Sequence, residues 1–241
     1  MPYAGPVTDG GIVSDLAPTG VLRASINLGN PVLAQGTPSA PSGITADIAR
    51  EVAGRLGVPV EYACFDAARK SLAALLAGQA DIGFLGIEPA RAAEIAFTAP
   101  YVIIEGVYAV PAGSALWSLA DVDAPGVRVG VKQGSAYDLY LSRTLRHATV
   151  VRAGEGTSAF LSDGLEVAAG IREPVTSFVA AHPGLRLIDG AFMQIQQAVA
   201  VTRDKAPETA GFLAGLIEEL KASGFIADAL RRSGQAAVIP K

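Results

Sequence analysis

The sequence predicts a two-lobed α/β protein, and three observations support this class. Short runs rich in Val, Ile and Leu alternate with stretches in which apolar residues recur at helical spacing, a pattern typical of parallel α/β sheets. The alternation stops in the loop-rich segment 111–125 and then starts again, which divides the 241 residues into two similar halves. Half of the residues are hydrophobic and only 17% are charged, so each half has enough apolar residues to bury its own core.

The first half contains three predicted strands, each followed by a helix. The first helix is well marked, because Ile44, Ile48, Val52 and Leu56 recur at helical spacing and Gly57 is suited to end it. The elements of this half are strands at 22–28, 58–62 and 81–85, helices at 44–56 and 67–77, a short helix from Pro89 and a β segment at 101–110.

The second half repeats the alternation and ends in helices. Its predicted elements are strands at 127–131, 149–152, 167–171, 185–188 and 195–201, and helices at 135–146, 158–161, 174–181, 207–223 and 225–232. Two β segments, around 104–110 and 196–202, carry the chain between the halves. We therefore expect lobe 1 to comprise 20–107 plus 203–241 and lobe 2 to comprise 108–202, with a two-strand hinge and a ligand cleft between them.

Composition excludes several classes of function. The formal net charge is -4 and no run of Lys or Arg is present, which argues against nucleic-acid binding. One cysteine, Cys64, and two histidines cannot supply an intramolecular disulfide or a Cys/His metal centre, so neither a metal nor another cofactor is expected. No Ser-His-Asp order, phosphate loop or dinucleotide glycine fingerprint is present.

The first nineteen residues carry neither the basic start nor the apolar stretch of a secretory signal peptide, and no run of about twenty apolar residues suggests a membrane span.

The most informative stretch is 80–101, ADIGFLGIEPARAAEIAFTAPY. Here the sequence resembles the periplasmic solute-binding proteins of family 3, the amino-acid-type receptors of ABC importers. Their pattern in this region is roughly D, an apolar strand, G, T-x-x-R, a helix and F-S-x-P-Y. The residues that match it in order are Asp81, Gly86, Arg91, Phe97, Pro100 and Tyr101.

Other segments resemble the same family. They are GITADIA at 43–49, Phe65-Asp66, VGVKQGSAY at 129–137 and Ser223-Gly224-Phe225. The resemblance extends over residues 20–235 and implies a type II periplasmic binding fold, in which two Rossmann-like α/β lobes are joined by a two-strand hinge.

The resemblance implies that Arg91 grips a ligand carboxylate, and a guanidinium does match a carboxylate with two parallel hydrogen bonds. Without the surrounding match, Arg91 would be interpreted as a surface arginine on a short helix. Gly134, Ser135 and Ala136 lie at a predicted helix N-terminus, where backbone N–H groups bind anions. The alternative is a turn in which Ser135 caps its own helix, and both can hold together.

The sequence also departs from the family pattern. The stretch from Asp81 to Arg91 is two residues shorter than in the family pattern, and Glu88 replaces the family's threonine. A shorter loop after Gly86 is expected to lack backbone contacts that commonly hold the amino acid. Arg172 occupies the place of an aspartate that grips the α-ammonium, and an arginine cannot accept a hydrogen bond from an ammonium. Two arginines facing one cleft would favour an anionic ligand, such as a dicarboxylate or an acid without an α-amine.

A zwitterionic ligand stays open, because Glu88 or Glu173 can take over the ammonium. The alternative for Arg172 and Glu173 is a solvated pair at a strand end.

Further candidates lie where loops reach the expected cleft. Asn30 follows the first strand, and Phe65 offers a flat apolar wall unless it belongs to the core. Gln196 lies in an amide cluster with Gln194 and Gln197 at the second hinge crossing, where amides contact ligand or satisfy the hinge backbone.

Two functions follow from the resemblance. The first is a non-enzymatic, monomeric receptor that closes on a small carboxylate or amino-acid-like ligand and presents it to the membrane subunits of an ABC permease. It works in the periplasm, whereas synthesis from Met1 as the native start would point to the cytoplasm. The second is an enzyme similar to cyclohexadienyl dehydratases, with Glu173 or Glu88 as the acid that expels a leaving group.

Overall fold

The structure is a computed structural model that describes residues 10–240 of the chain. The predicted α/β class is confirmed. The α-helices in the described part are α1 (Gly10–Leu16), α2 (Ile44–Leu56), α3 (Ala68–Leu76), α4 (Pro89–Ala92), α5 (Ala136–Thr144), α6 (Gly156–Ser162), α7 (Arg172–Ala181), α8 (Pro207–Ala222) and α9 (Phe225–Arg232), and a 3-10 helix covers Leu119–Val122. The strands are β1 (Leu22–Asn27), β2 (Gln35–Thr37), β3 (Ala40–Ser42), β4 (Val60–Phe65), β5 (Ile82–Gly86), β6 (Ile95–Phe97), β7 (Val102–Pro111), β8 (Arg128–Lys132), β9 (Thr149–Ala153), β10 (Val167–Ile171), β11 (Leu185–Leu187) and β12 (Met193–Thr202).

The described chain forms two compact units. Unit 1 contains the residues up to Ile103 and those from Gln196 onward, and unit 2 is Ile104–Ile195. The chain changes unit inside β7 and again inside β12, whereas the sequence-based bounds lie at 107/108 and 202/203.

Unit 1 is built on parallel strands. β1 pairs in parallel with β4 and with β5, β12 adds to β5 in antiparallel orientation, and β6 adds to β12. Ile44, Ile48 and Val52 of α2 are fully buried, as their spacing predicts. Parallel strands end at the same side of a sheet, so the residues at and just after the ends of β1, β4 and β5 form what we call the unit-1 edge.

Unit 2 has a similar plan. β8 lies between β9 and β10, parallel to both, while β7 pairs with β10 in antiparallel orientation and β11 pairs with β7. Helix α6 approaches β8 so closely that a Cβ on Gly130 would lie 2.6 Å from the carbonyl oxygen of Gly156. The residues at and just after the ends of β8, β9 and β10 form the unit-2 edge.

The opposite ends of the parallel strands carry the same arginine–carboxylate clamp in both units. In unit 1, Arg23 donates from Nε to Asp81 Oδ2 over 3.0 Å, from Nη2 to Oδ1 over 2.6 Å and from its backbone N–H to Oδ2 over 2.8 Å. In unit 2, Arg128 makes the equivalent three bonds to Glu166, over 2.9, 2.8 and 2.9 Å. Each clamp joins a central strand to the start of its parallel neighbour.

The structure differs from the predictions in a few short elements that were missed and in the first residue of one helix. The hairpin of β2 and β3, the helix α1 and the 3-10 helix were not predicted, and α7 begins at Arg172, two residues before the predicted start. The hairpin sequence QGTPSAPS has no run of β-branched or aromatic residues, so it carries no strand signal. Of the first nineteen residues, 1–9 lie outside the described part of the chain.

Candidate functional site

Arg91 and Glu88 lie together, buried at the unit-1 edge. Strand β5 ends at Gly86 and α4 begins three residues later, which places both side chains inside the unit with 2% of their surface exposed. Arg91 Nη1 donates to the carbonyl oxygen of Gly86 over 2.8 Å. Burial lowers the pKa of Arg91 to about 10, and the nearby negative charge of Glu88 opposes this shift. The alternative of a solvated surface arginine is therefore wrong.

Asn30 lies at the same edge, in the turn that follows β1. Its backbone carbonyl accepts from the N–H groups of Leu33 and Ala34 over 3.1 and 3.0 Å, which fixes the turn. The side chain is 6% exposed, and its Oδ1 atom accepts no hydrogen bond from any described residue. Buried polar atoms normally have a partner, so this oxygen is a candidate ligand contact.

The other predicted residues of the unit-1 edge differ in exposure. Phe65 ends β4 opposite Asn27 and is half-buried. Gln196 is exposed, whereas Gln197 is buried and pairs with Gly86 across β5 and β12. Their backbone carbonyls accept from the N–H groups of Ile87 and Tyr101, both over 2.8 Å, so the Gln pair organises this edge through its backbone.

Tyr101, a residue of the motif that sequence reasoning did not place in the site, is fully buried in unit 1. Its ring meets Phe84 edge-on with 6.2 Å between the ring centroids, and burial raises the pKa of the phenol. The hydroxyl has no hydrogen-bond partner among the described residues. The motif that ends in Ala-Pro-Tyr was the available signal.

At the unit-2 edge, the turn at Gly134, Ser135 and Ala136 leads into α5. Ser135 Oγ accepts from the N–H of Asp138 over 3.0 Å, so the serine caps its own helix. The N–H of Gly134 donates to Asp138 Oδ2 over 2.8 Å, and Arg152 Nε donates to Oδ1 over 2.9 Å. The buried Asp138 thus takes one of the amides expected to hold an anion. Sequence reasoning missed it, although Ser-x-x-Asp is a recognised capping pattern.

Arg172 is paired inside unit 2. Its Nε donates to Glu105 Oε2 over 2.5 Å and its Nη2 to the carbonyl oxygen of Gly190 over 2.8 Å. The predicted alternative, a pair with Glu173, is therefore wrong about the partner. Sequence reasoning missed Glu105, whose signal is a single charge within the apolar run of β7.

Glu173 lies in the first turn of α7, beside Arg172. Its Oε2 atom is buried and accepts no hydrogen bond from a described residue. The structure thus gathers Gly86, Glu88, Arg91, Asn30, Phe65 and Gln196 at the unit-1 edge. It gathers the turn 134–136, Arg172 and Glu173 at the unit-2 edge.

Both arginines that were expected to favour an anionic ligand lie near carboxylates, Arg91 near Glu88 and Arg172 at Glu105. Their positive charges are thus largely balanced within each unit. Across residues 10–240, no group of three or more His, Cys, Asp or Glu side chains is arranged to hold a metal ion. Within the same range, no helix combines the length and apolar character needed to cross a membrane.

Each of the two α/β units gathers polar and charged side chains where its parallel strands end. This arrangement is typical of proteins that bind small molecules at those strand ends. The chain belongs to the bacterial extracellular solute-binding proteins, family 3, whose family model matches residues 27–234. The predicted resemblance and the type II periplasmic binding fold are thereby confirmed. No curated protein sequence matches the chain.

Solved structures support the same fold. A mutant of ArgBP from T. maritima has a TM-score of 0.75 and 23% sequence identity, over 92% of this chain and 99% of that one. A binding component of an ABC transporter from Wolinella succinogenes DSM 1740, complexed with lysine, has a TM-score of 0.74 and 18% identity, over 88% and 95%. An ancestral amino-acid-binding protein described as a precursor of cyclohexadienyl dehydratase has a TM-score of 0.75 and 18% identity, over 92% and 98%. At these identities the likeness concerns the fold.

Proposed function

We propose that the chain is the solute-binding protein of an ABC importer and binds an amino-acid-like molecule between its two lobes. The carrying observation is the presence, in each unit, of polar side chains gathered where the parallel strands end. Family membership supports this function. Such a receptor works outside the cytoplasmic membrane as a monomer, and its partners are the membrane subunits of a permease.

The mechanism follows from the chain passing twice between the units. A ligand that touches both edges only when the lobes are closed shifts the population toward the closed state. In this mechanism Arg91 holds the ligand carboxylate. A guanidinium has five N–H donors, so it can serve the Gly86 carbonyl and a carboxylate together. In the turn at 134–136, the N–H groups of Gly134 and Ser135 already donate to Asp138 and to the Lys132 carbonyl. The donor proposed from the second lobe is therefore the backbone N–H of Ala136.

The first experiment is native mass spectrometry of freshly purified protein, followed by denaturing release of any bound small molecule. We expect a carried amino acid or a related carboxylate. Small-angle X-ray scattering should then show a smaller radius of gyration when that molecule is added back to the emptied protein. An emptied protein that binds none of the twenty L-amino acids by calorimetry, and that carried no molecule, would contradict the proposal.

A second candidate function is a dehydratase-like enzyme with Glu173 or Glu88 as general acid. The observation in its favour is the unpartnered, buried oxygen of Glu173, together with the similarity to the ancestral protein described as a precursor of such an enzyme. Incubation with a hydroxylated cyclohexadienyl carboxylate tests it: the acid protonates the departing hydroxyl, which leaves as water, while the bond from the ring to its carboxylate breaks to release carbon dioxide, and the aromatic product has new ultraviolet absorbance. Turnover that disappears in Glu173→Gln or Glu88→Gln would favour the enzyme over the receptor.

A further inference from the structure

Two segments of unit 2 lie next to the places where the chain changes unit, and they are joined to each other. We call them the crossing segments, 104–108 in β7 and 189–195, which leads into β12. The backbone N–H of Phe192 donates to the carbonyl oxygen of Gly106 over 3.0 Å. The Phe192 ring also lies against this glycine, because a Cβ on Gly106 would lie 2.8 Å from Phe192 Cζ, and it stacks on Tyr108 with 4.2 Å between the ring centroids.

Arg172 contacts both crossing segments from the start of α7, which follows β10 directly. Its Nε donates to Glu105 Oε2 over 2.5 Å in the first segment, and its Nη2 donates to the carbonyl oxygen of Gly190 over 2.8 Å in the second. A guanidinium carries these donors on separate nitrogens of one rigid plane. One side chain therefore holds both crossing segments at a fixed distance from the first turn of α7.

The position of the Arg172 bonds matters more than their contribution to stability. The side chains of Arg172 and Glu105 are 33% and 38% exposed, and an ion pair at such exposure stabilises a fold only slightly. Unit 2 has another arginine with the same kinds of partner, because Arg128 bonds to Glu166 and to the carbonyl oxygen of Gly164. That clamp lies at the opposite strand ends, so it fastens the unit without touching the crossing segments.

We propose that Arg172 is a positioning residue, which braces the two crossing segments against each other and against the first turn of α7 so that the three move as one body. A displacement of that turn is then passed to both crossing segments. The role goes beyond the proposed solute-binding function and does not require it, since it concerns bonds within unit 2. If that function holds, the brace connects the unit-2 edge at Glu173 with the segments that closure deforms.

The test is amide hydrogen exchange followed by NMR on the emptied protein, with no ligand added. The amide of Phe192 reports on the joined crossing segments. The amide of Thr149, which donates to the carbonyl oxygen of Val127 over 2.8 Å, reports on the rest of unit 2. Arg172→Gln should raise the ratio of the Phe192 exchange rate to the Thr149 exchange rate about threefold to tenfold, because local opening of the crossing segments becomes easier. The wild-type ratio in this variant would overturn the proposal.

Arg128→Gln is the matched control, because it also removes an arginine that bonds to a carboxylate and a carbonyl in unit 2. It should accelerate exchange at Thr149 at least as much as at Phe192, since Val127 directly precedes Arg128. Thermal melts report the loss of stability in both variants. An equal rise of the exchange ratio in both would show that any loss of stability opens the crossing segments, and it would overturn the specific role of Arg172.

Two further variants separate bracing from charge. Arg172→Lys keeps the positive charge on a single nitrogen, which cannot occupy both donor positions, so the exchange ratio should still rise. A wild-type ratio in Arg172→Lys would show that charge alone suffices and would overturn the brace. Glu105→Gln should raise the ratio without altering Arg172, and the double variant Arg172→Gln/Glu105→Gln should add little to Arg172→Gln. Effects that multiply in the double variant would contradict a shared bond.

Gly106→Ala tests the junction itself, because the new Cβ would push the Phe192 ring away from β7. This variant should raise the same exchange ratio with Arg172 intact, and the effect of Arg172→Gln in the Gly106→Ala background should be smaller than in the wild type. An undiminished effect would show that Arg172 does not act through the joined segments.

Discussion

Replacing Arg91 by Met should destabilise unit 1, because it removes the positive charge of Arg91, which interacts with the buried carboxylate of Glu88. Both side chains are 2% exposed, so water cannot take over the role of the guanidinium. The bond from Arg91 Nη1 to the Gly86 carbonyl is lost as well. Removing one of two interacting buried charges of opposite sign costs up to about 3–5 kcal/mol, and we expect a loss toward that range. With an m-value of about 3 kcal/mol/M in urea, this moves the unfolding midpoint by about 1–2 M.

A double-mutant cycle with Glu88→Gln tests the reasoning. Each single variant should be clearly less stable than the wild type. The double variant Arg91→Met/Glu88→Gln should recover part of the loss, because no uncompensated charge remains, with a coupling energy of about 1–3 kcal/mol. Urea unfolding followed by circular dichroism measures all four proteins. Losses that add to within about 0.5 kcal/mol would refute the coupling between the two side chains.

The same variant reports on the proposed ligand contact. If Arg91 also holds the ligand carboxylate, Arg91→Met should weaken binding by about 1.5–3 kcal/mol in calorimetry of the folded protein. The affinity of Glu88→Gln for the same ligand should change less, since Glu88 supplies no donor for a carboxylate. A stable Arg91→Met protein with unchanged affinity would contradict both roles of the arginine.

Three further predictions concern unit 2. The Arg128 guanidinium lowers the pKa of Glu166 to about 2, so the clamp stabilises the fold fully above the carboxyl's usual pKa near 4.5 and loses its effect as the pH falls toward 2. The melting temperature should therefore fall less steeply between these pH values in Glu166→Gln than in the wild type. The same dependence of melting temperature on pH in both proteins would contradict this. Gly130→Ala should cost about 1–3 kcal/mol, because its Cβ meets the Gly156 carbonyl, whereas Gly113→Ala, with open space around its Cβ, should be neutral in the same denaturation assay. Asp138→Asn should cost about 1–3 kcal/mol by weakening the bonds from Gly134 and Arg152, with the exposed Asp228→Asn as control; equal stability of the two variants would contradict it.

Where local patterns decide the structure, the sequence was a sufficient guide. Helix α2 has the predicted bounds, because its apolar residues repeat at helical spacing and Gly57 adopts the left-handed conformation at its end, with φ 69°. The short hairpin of β2 and β3 has no such pattern. The predicted start of α7 was late because Pro174 was taken as its first residue, whereas the helix begins at Arg172.

The site was less predictable because its partners are distant in sequence. The family motif identified Arg91 and the turn at Ser135. The bond from Arg172 spans 67 residues to Glu105, and no spacing rule connects such a pair. The sequence therefore predicted that two arginines favour an anionic ligand, whereas the structure shows a carboxylate near each arginine.

The paired clamps of Arg23 with Asp81 and Arg128 with Glu166 have a consequence for the proposed lobe closure. They join residues 58 and 38 positions apart, at the strand ends remote from the two edges, and neither clamp bridges the units. Each unit is thus fastened internally, so the closure proposed above would leave both clamps intact. The deformation that accompanies ligand capture would then fall on the two short crossings within β7 and β12. Substitutions in these crossings should alter the rate of the proposed closure, whereas substitutions at the clamps should alter only the stability of each unit.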